Sequence, residues 1–335
     1  MNDRKQARKR AEYITKPNIL WICTDQQRWD TIHALGNDYI HTPNIDRLVN
    51  EGVTCTNAYC QAPICTPSRA SFLTGMYPSS IRACTNGNEY WAEAAPLVTK
   101  ILSDNYYCCG LSGKLHLAGA HGRIEPRPID DGYTVFHWSH DHLDIWPVGH
   151  SYSDWVHEKG YNLGKVYNKN GYMPPDLHQT TFCTDKAIEF IETPWIQPWL
   201  MSVNIFDPHL PFDAPPEYKN RYRAEELPPP SFRESDISAQ EKLGGIDYHM
   251  SPMKPEEFNA QDMKASYYGM IELIDWNVGR LLEPLEKTGQ RENTLVIFTS
   301  DHGEMLGDHG LYAKGCRFYE GLVHVPLIFS MPGKL

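Results

Sequence analysis

Four apolar runs, each delivering the chain into a cluster of polar residues, most narrowly constrain how this sequence can fold. Residues 17–24 end in Asp25-Gln26-Gln27-Arg28, and residues 106–111 lead to Gly113-Lys114-Leu115-His116. Residues 199–206 hand over to Asp207-Pro208-His209-Leu210-Pro211-Phe212, and residues 294–299 to Ser300-Asp301-His302-Gly303-Glu304. Short continuous apolar runs are expected of strands buried on both faces, as in parallel sheets, and ligands of open α/β sheets gather where such strands end. Residues 53–59 and 323–330 are two further candidate strands.

Between the runs lie helical signals. Thr42 as cap and Pro43 in a first turn predict a helix through Leu48 that Gly52 can stop. Residues 65–75, 97–102, 184–192 and 261–285 also have helical patterns, and no internal repeat is visible. The alternation predicts an α/β fold, a doubly wound sheet with helices on both faces. Residues 118–180 carry many His, Trp and Tyr residues without a clear period and are predicted to form a loop-rich insertion; proline-rich 214–230 is predicted loop.

With 41% hydrophobic and 12% aromatic residues, 335 residues can bury one large core or two modest ones. A formal net charge of -11 argues against nucleic-acid and anionic-membrane partners, so an anionic substrate would need a local positive pocket. Residues 1–16 form a basic extension followed by too short an apolar run for a signal peptide, and no membrane span is apparent, so a cytoplasmic location is expected. The nine cysteines show no paired spacing, and their odd number leaves at least one free; reduced thiols are expected. Cys108 and Cys109 read as core, and Cys55 and Cys60 lack zinc-site partners.

The run Cys65-Thr66-Pro67-Ser68-Arg69-Ala70-Ser71-Phe72-Leu73-Thr74-Gly75 puts a cysteine and an arginine four apart at the opening of a helix. Pro67 suits a first turn, and a helix N-terminus favours negative charge, which makes an anion site. A bare Cys-x-Pro-x-Arg reads better as a buried small hydrophobe and a solvated helix arginine. The full run, however, resembles the signature of the type I sulfatases, and the resemblance extends from about Pro17 to Pro332.

That resemblance implies an alkaline-phosphatase-like, mostly parallel sheet and a nucleophile, 3-oxoalanine (formylglycine), made from Cys65 by a formylglycine-generating maturation enzyme. It implies one divalent cation held by Asp25, Gln26, Asp301, His302 and the group derived from Cys65. Gln26 stands where the family has an acid and His302 where it has an asparagine, so the cage loses a charge and gains an imidazole; calcium is expected, with manganese as the alternative. The same pairing occurs in phosphonate monoester hydrolases and choline sulfatases. By resemblance, Arg69 orients the hydrated aldehyde, and Lys114 and Lys314 clamp the sulfate. His116 is the base and His209 the acid that protonates the leaving alcohol, while Asn86 matches a substrate-site residue, and Lys114 and His209 also touch substrate. Asp308 and His309 fit a turn or a supporting position better than ligation.

The reaction implied is hydrolysis of a sulfate ester. The alternatives are phosphonate monoester or phosphodiester hydrolysis, choline sulfate hydrolysis, or a non-catalytic binding relative, the last disfavoured because every catalytic position is filled. Lys114-x-His116 resembles the sulfatase pattern more than that of the phosphonate hydrolases. Phe136, His137, Trp138, His140, His142, Trp146, His150, Tyr152, Trp155 and His157 form a dense run of flat and hydrogen-bonding side chains. They are predicted to wall a saccharide site. Residues 17–335 read as one catalytic domain, and the smaller C-terminal domain usual in the family is expected to be absent.

Overall fold

The computed structural model describes residues 16–87, 91, 95–120, 124–141, 150–242 and 251–335. Apart from Lys16, the basic extension lies outside the described residues, as do His142 and Trp146. Seven strands form one sheet: β1 (Asn18–Thr24), β2 (Gly52–Thr54), β3 (Cys108–Gly113), β4 (Tyr133–Trp138), β5 (Trp199–Asn204), β6 (Thr294–Ser300) and β7 (Leu327–Ser330). Their order is β2-β7-β6-β1-β5-β3-β4. β1, β3, β4, β5 and β6 run parallel, and β7 lies antiparallel between β6 and the edge strand β2.

Alternation along β1 divides the core. Leu20 and Ile22 enter a cluster with Ile45 and Leu48 of helix α1 (Pro43–Asn50). The same cluster takes in helix α6 (Gln179–Glu192) and helix α7 (Ala260–Lys287). Ile19 and Trp21 face the other side, against Ala70 and Leu73 of helix α2 (Cys65–Thr74) and Leu102 of helix α3 (Val98–Asp104). Helices thus cover both faces, as the alternating pattern predicts. At the β3–β5 seam the backbones nearly touch. A Cβ on Gly113, whose φ is +104°, would lie 1.9 Å from the Asn204 carbonyl oxygen, so only glycine fits.

The structure corrects several local expectations. Thr42 makes no cap bond; its hydroxyl takes the His33 N–H and donates to Asp46, and the Asp275 carboxylate from α7 receives the free N–H groups of Asn44 and Ile45. The strand expected over 53–59 pairs over only three residues, then makes one isolated bridge from Tyr59 to His324. The strand expected over 323–330 begins at Leu327, because Pro326 has no N–H to give the ladder and a helical turn, Glu320–Val323, precedes it. Two short helical segments, Pro216–Lys219 and Ala224–Glu226, interrupt the 214–230 loop.

The 118–180 segment is the larger difference. It supplies the edge strand β4 and helices α4 (Ser151–Glu158) and α5 (Leu163–Asn170). Tyr152, Trp155 and Val156 sit at i, i+3 and i+4, one helical face, and pack into the core beside Phe182. α6 opens five residues earlier than expected because His178 Nδ1 accepts the Thr180 N–H at 3.3 Å.

Candidate active site and cation centre

Parallel strands β1, β3, β5 and β6 end side by side, which brings four separate polar clusters to one edge of the sheet. Thr24 pairs with Ser300, so Asp25 and Asp301 leave neighbouring strands together. Cys65 is the first residue of α2 and follows extended Ile64. Its buried Sγ lies 3.3 Å from His302 Nε2, 3.5 Å from Asp25 Oδ1, 2.7 Å from Lys314 Nζ and 3.9 Å from Lys114 Nζ.

Arg69, one helical turn on, is fully buried and ties the strand ends together. Its guanidinium donates to Asp301 Oδ2 at 2.8 Å, to the Lys114 carbonyl at 2.8 Å and to Asp25 Oδ2 at 3.4 Å. Lys114 Nζ also contacts Asp25 Oδ2. Burial opposes ionisation of Asp25, but Lys114, Lys314, His209 and Arg69 outweigh it and hold its carboxyl well below the usual range. Burial and the Asp25 charge oppose ionisation of Cys65, but Lys114, Lys314 and His302 lower its pKa.

Two histidines face Cys65 across a cavity of about 400 Å³ lined by Cys65, Asn86, Lys114, His140, His209 and Lys314 together with His116, Asp141 and Phe206. His209 Nδ1 donates to the Leu210 carbonyl at 2.7 Å, which leaves Nε2 as the acceptor of Lys314 Nζ at 2.6 Å. Burial, then Lys314, push its pKa well below 6.5. His116 Nδ1 is buried without a hydrogen-bond partner, and burial, then Lys114, push that ring well down too. Both rings are therefore neutral near pH 7. Asn86 Oδ1 accepts the Thr66 N–H at 3.0 Å, at the first turn of α2.

Asp25, Cys65, Asp301 and His302 each offer a ligand atom, and these atoms lie within 4.8 Å of one another. His302 Nδ1 donates to the Gly303 carbonyl at 2.9 Å, which keeps the Nε2 lone pair toward the cluster, as metal-binding histidines require. Gln26 Oε1 is buried without a hydrogen-bond partner, an orphaned carbonyl of the kind a cation satisfies. Two carboxylates and one imidazole beside Cys65 fit a hard or borderline divalent cation, for which the Gln26 amide oxygen is a further candidate donor. Asp308 and His309 stand outside it: Asp308 pairs with Arg28 at 2.8 Å, and His309 stacks on Tyr319.

Two buried carboxylates escape a reading of the sequence. Glu125 accepts the backbone N–H groups of His116 at 2.6 Å, of Leu117, and of Ala118 at 3.0 Å, pinning His116 at φ +53°. Glu304 takes the Gln26 side-chain amide. No spacing signals either role, because each depends on which loops the fold brings together. Among the described residues the expected aromatic wall does not form: Trp138, His150, Tyr152 and Trp155 are buried, Phe136, His137 and His157 do not line this cavity, and His140 alone of the described part of the run does, His142 and Trp146 lying outside it. A larger cavity, about 590 Å³ between Trp21, Phe72, Ile297 and Phe329, is mostly apolar and holds none of these groups. Among the described residues no helix is long and apolar enough to cross a membrane.

A family model described as Sulfatase matches residues 17–335. An arylsulfatase of Clostridium perfringens is 31% identical over 96% of this chain and 69% of its own length. A choline-sulfatase of Rhizobium meliloti is 31% identical over 95% of this chain and 63% of its own length. Among solved structures, a phosphonate monoester hydrolase of Agrobacterium radiobacter superposes with a TM-score of 0.77 at 25% identity, covering 95% of this chain and 68% of that one. The chain thus spans 63 to 69% of the length of these proteins.

Proposed function

The chain belongs to the sulfatase family of the alkaline phosphatase superfamily, and on that premise we propose that it hydrolyses the sulfate ester of a saccharide at the Cys65 site. The observation that carries the reading is the convergence of two buried amino groups, Lys314 at 2.7 Å and Lys114 at 3.9 Å, on the Cys65 sulfur. In the matured enzyme that sulfur's place is taken by formylglycine oxygen. Formylglycine at 65 and a divalent cation bound by Asp25, Gln26, Asp301 and His302, calcium or alternatively manganese, would supply the nucleophile and Lewis acidity.

The chain's own residues account for the rest. Lys114 and Lys314 stand where sulfate oxygens would sit, and Arg69 is held rigid between Asp25 and Asp301 as their counter-charge rather than as a mobile contact. His116, neutral with a free ring nitrogen, is suited to accept a proton. His209 is also neutral, so the proton it passes to a leaving alcohol must first reach Nε2, and Lys314 Nζ is 2.6 Å away. Asn86, His140 and Asp141 put hydrogen-bonding groups around the cavity, and among the described residues Phe206 is its one aromatic carbocycle. A trimethylammonium group needs an aromatic cage, so this lining favours a hydroxyl-rich alcohol over choline.

A second reading, phosphonate monoester hydrolysis, is favoured by the Asp25-Gln26 and Asp301-His302 pairs and by the TM-score of 0.77. The test is kcat/KM across sulfated mono- and oligosaccharides, choline sulfate, an aryl sulfate and a phosphonate monoester. The protein is made with the maturation enzyme, and Cys65→Ala serves as the blank. A sulfated saccharide is expected to lead by at least about tenfold, or ~1.4 kcal/mol of transition-state binding. A tenfold lead for choline sulfate or the phosphonate would overturn it.

A further inference from the structure

Glu304 is fully buried and lines none of the cavity beside Cys65, yet each of its oxygens is committed. Oε1 accepts the backbone N–H groups of Leu306 at 3.1 Å and of Ala313, the residue before Lys314. Oε2 accepts Gln26 Nε2. An amide has one donor end and one acceptor end, so fixing its NH2 also fixes where its oxygen points. The Gln26 oxygen left over is buried and unpartnered, and the Gln26 backbone N–H is held separately by Asp301 Oδ1 at 3.0 Å.

We propose that Glu304 is a positioning residue for the cation: it holds the Gln26 amide oxygen toward Asp25 and Asp301, and by the same carboxylate it tethers the loop carrying Lys314. This rests on the reading of Asp25, Gln26, Asp301 and His302 as cation ligands. A carboxylate accepts at both oxygens, whereas its isosteric amide must donate at one of them. In E304Q the two backbone donors keep an oxygen at the Oε1 position, so the new NH2 faces the NH2 of Gln26. Gln26 must then turn over and present hydrogens to the cation. Adding Q26E removes the conflict: the amide at 304 donates to the new carboxylate at 26, whose second oxygen again faces the cation.

The experiment is calorimetric titration of CaCl2 and MnCl2 into chelator-stripped full chain, wild type, E304Q and Q26E/E304Q, with thermal melts to check folding. E304Q is expected to bind about 10- to 100-fold more weakly, the range for residues that orient metal ligands, and the double variant to recover most of the loss. If wild type binds neither ion, the cation reading itself fails. If wild type binds and E304Q matches it, or if the double variant stays as weak as E304Q, the role of Glu304 is overturned. Should E304Q not fold, the double variant is compared with Gln26→Ala: tighter binding supports the inference, and equal binding overturns it.

Discussion

His116 shows how far a single residue's environment sets its chemistry. Burial removes water from the ring, and Lys114, His140 and Arg69 add positive charge, so its pKa falls well below 6.5. Because the unfolded histidine binds a proton near pH 6.5 and the folded one does not, this group favours the native state above that pH and loses stability for the protein as pH falls through it. As the base, it must be neutral to act. The acid limb of kcat/KM assigned to it should therefore lie below pH 6.5, and His116→Gln should remove that limb and lower kcat about 100- to 10,000-fold. A limb at or above pH 6.5 that survives in the variant would exclude His116 as the base. At this scale much was legible beforehand: Asp25, Lys114, Asp301 and His302 stand just after strand-like runs, and Cys65 opens the run that resembles the sulfatase signature. Glu125 and Glu304 do not, since their partners are the backbone of distant or folded-back loops.

Elements explain why the loops at the strand ends hold such unusual conformations. After β3 the chain turns through His116 at φ +53°, and nothing in strand or helix geometry supplies partners for the N–H groups of His116, Leu117 and Ala118. Glu125 supplies them, with a fourth bond from Trp138 Nε1 at 3.3 Å, although burial raises its own pKa. Glu125→Ala leaves the three buried backbone donors without that acceptor at about 1–3 kcal/mol each, so a loss of roughly 3 kcal/mol or more is expected. Urea unfolding measures it, and a loss under about 1 kcal/mol would mean the loop finds other partners. The same scale exposes what the sequence obscures. The aromatics of 133–157 look like a ligand wall because their density is visible and their direction is not. Only the i, i+3, i+4 set of Tyr152, Trp155 and Val156 carried the signal of a buried helix face, and it is too short to stand out from the surrounding tyrosines and histidines.

For the whole molecule, the sheet order was beyond reach of sequence reasoning, yet the location of the site was not, because every parallel strand delivers its C-terminal residues to one edge. That edge carries opposite charges in close balance, Asp25 and Asp301 against Arg69, Lys114 and Lys314, inside a chain of net charge -11. With that balance the fold is expected to survive chelation, while the unpartnered Gln26 oxygen leaves a bond for a cation to gain. A ligand that binds only the native state at a hundred times its Kd stabilises by about 2.7 kcal/mol. With an unfolding entropy near 2.1 cal/mol/K per residue, that raises Tm by roughly 4 °C for a chain of this size. Chelation should thus lower Tm by about that amount and abolish turnover, with both restored by calcium or manganese, and Asp301→Ala should melt at one temperature with or without added cation. An unshifted Tm together with undiminished turnover after exhaustive chelation would remove the cation from this centre and leave its charge to Arg69, Lys114 and Lys314.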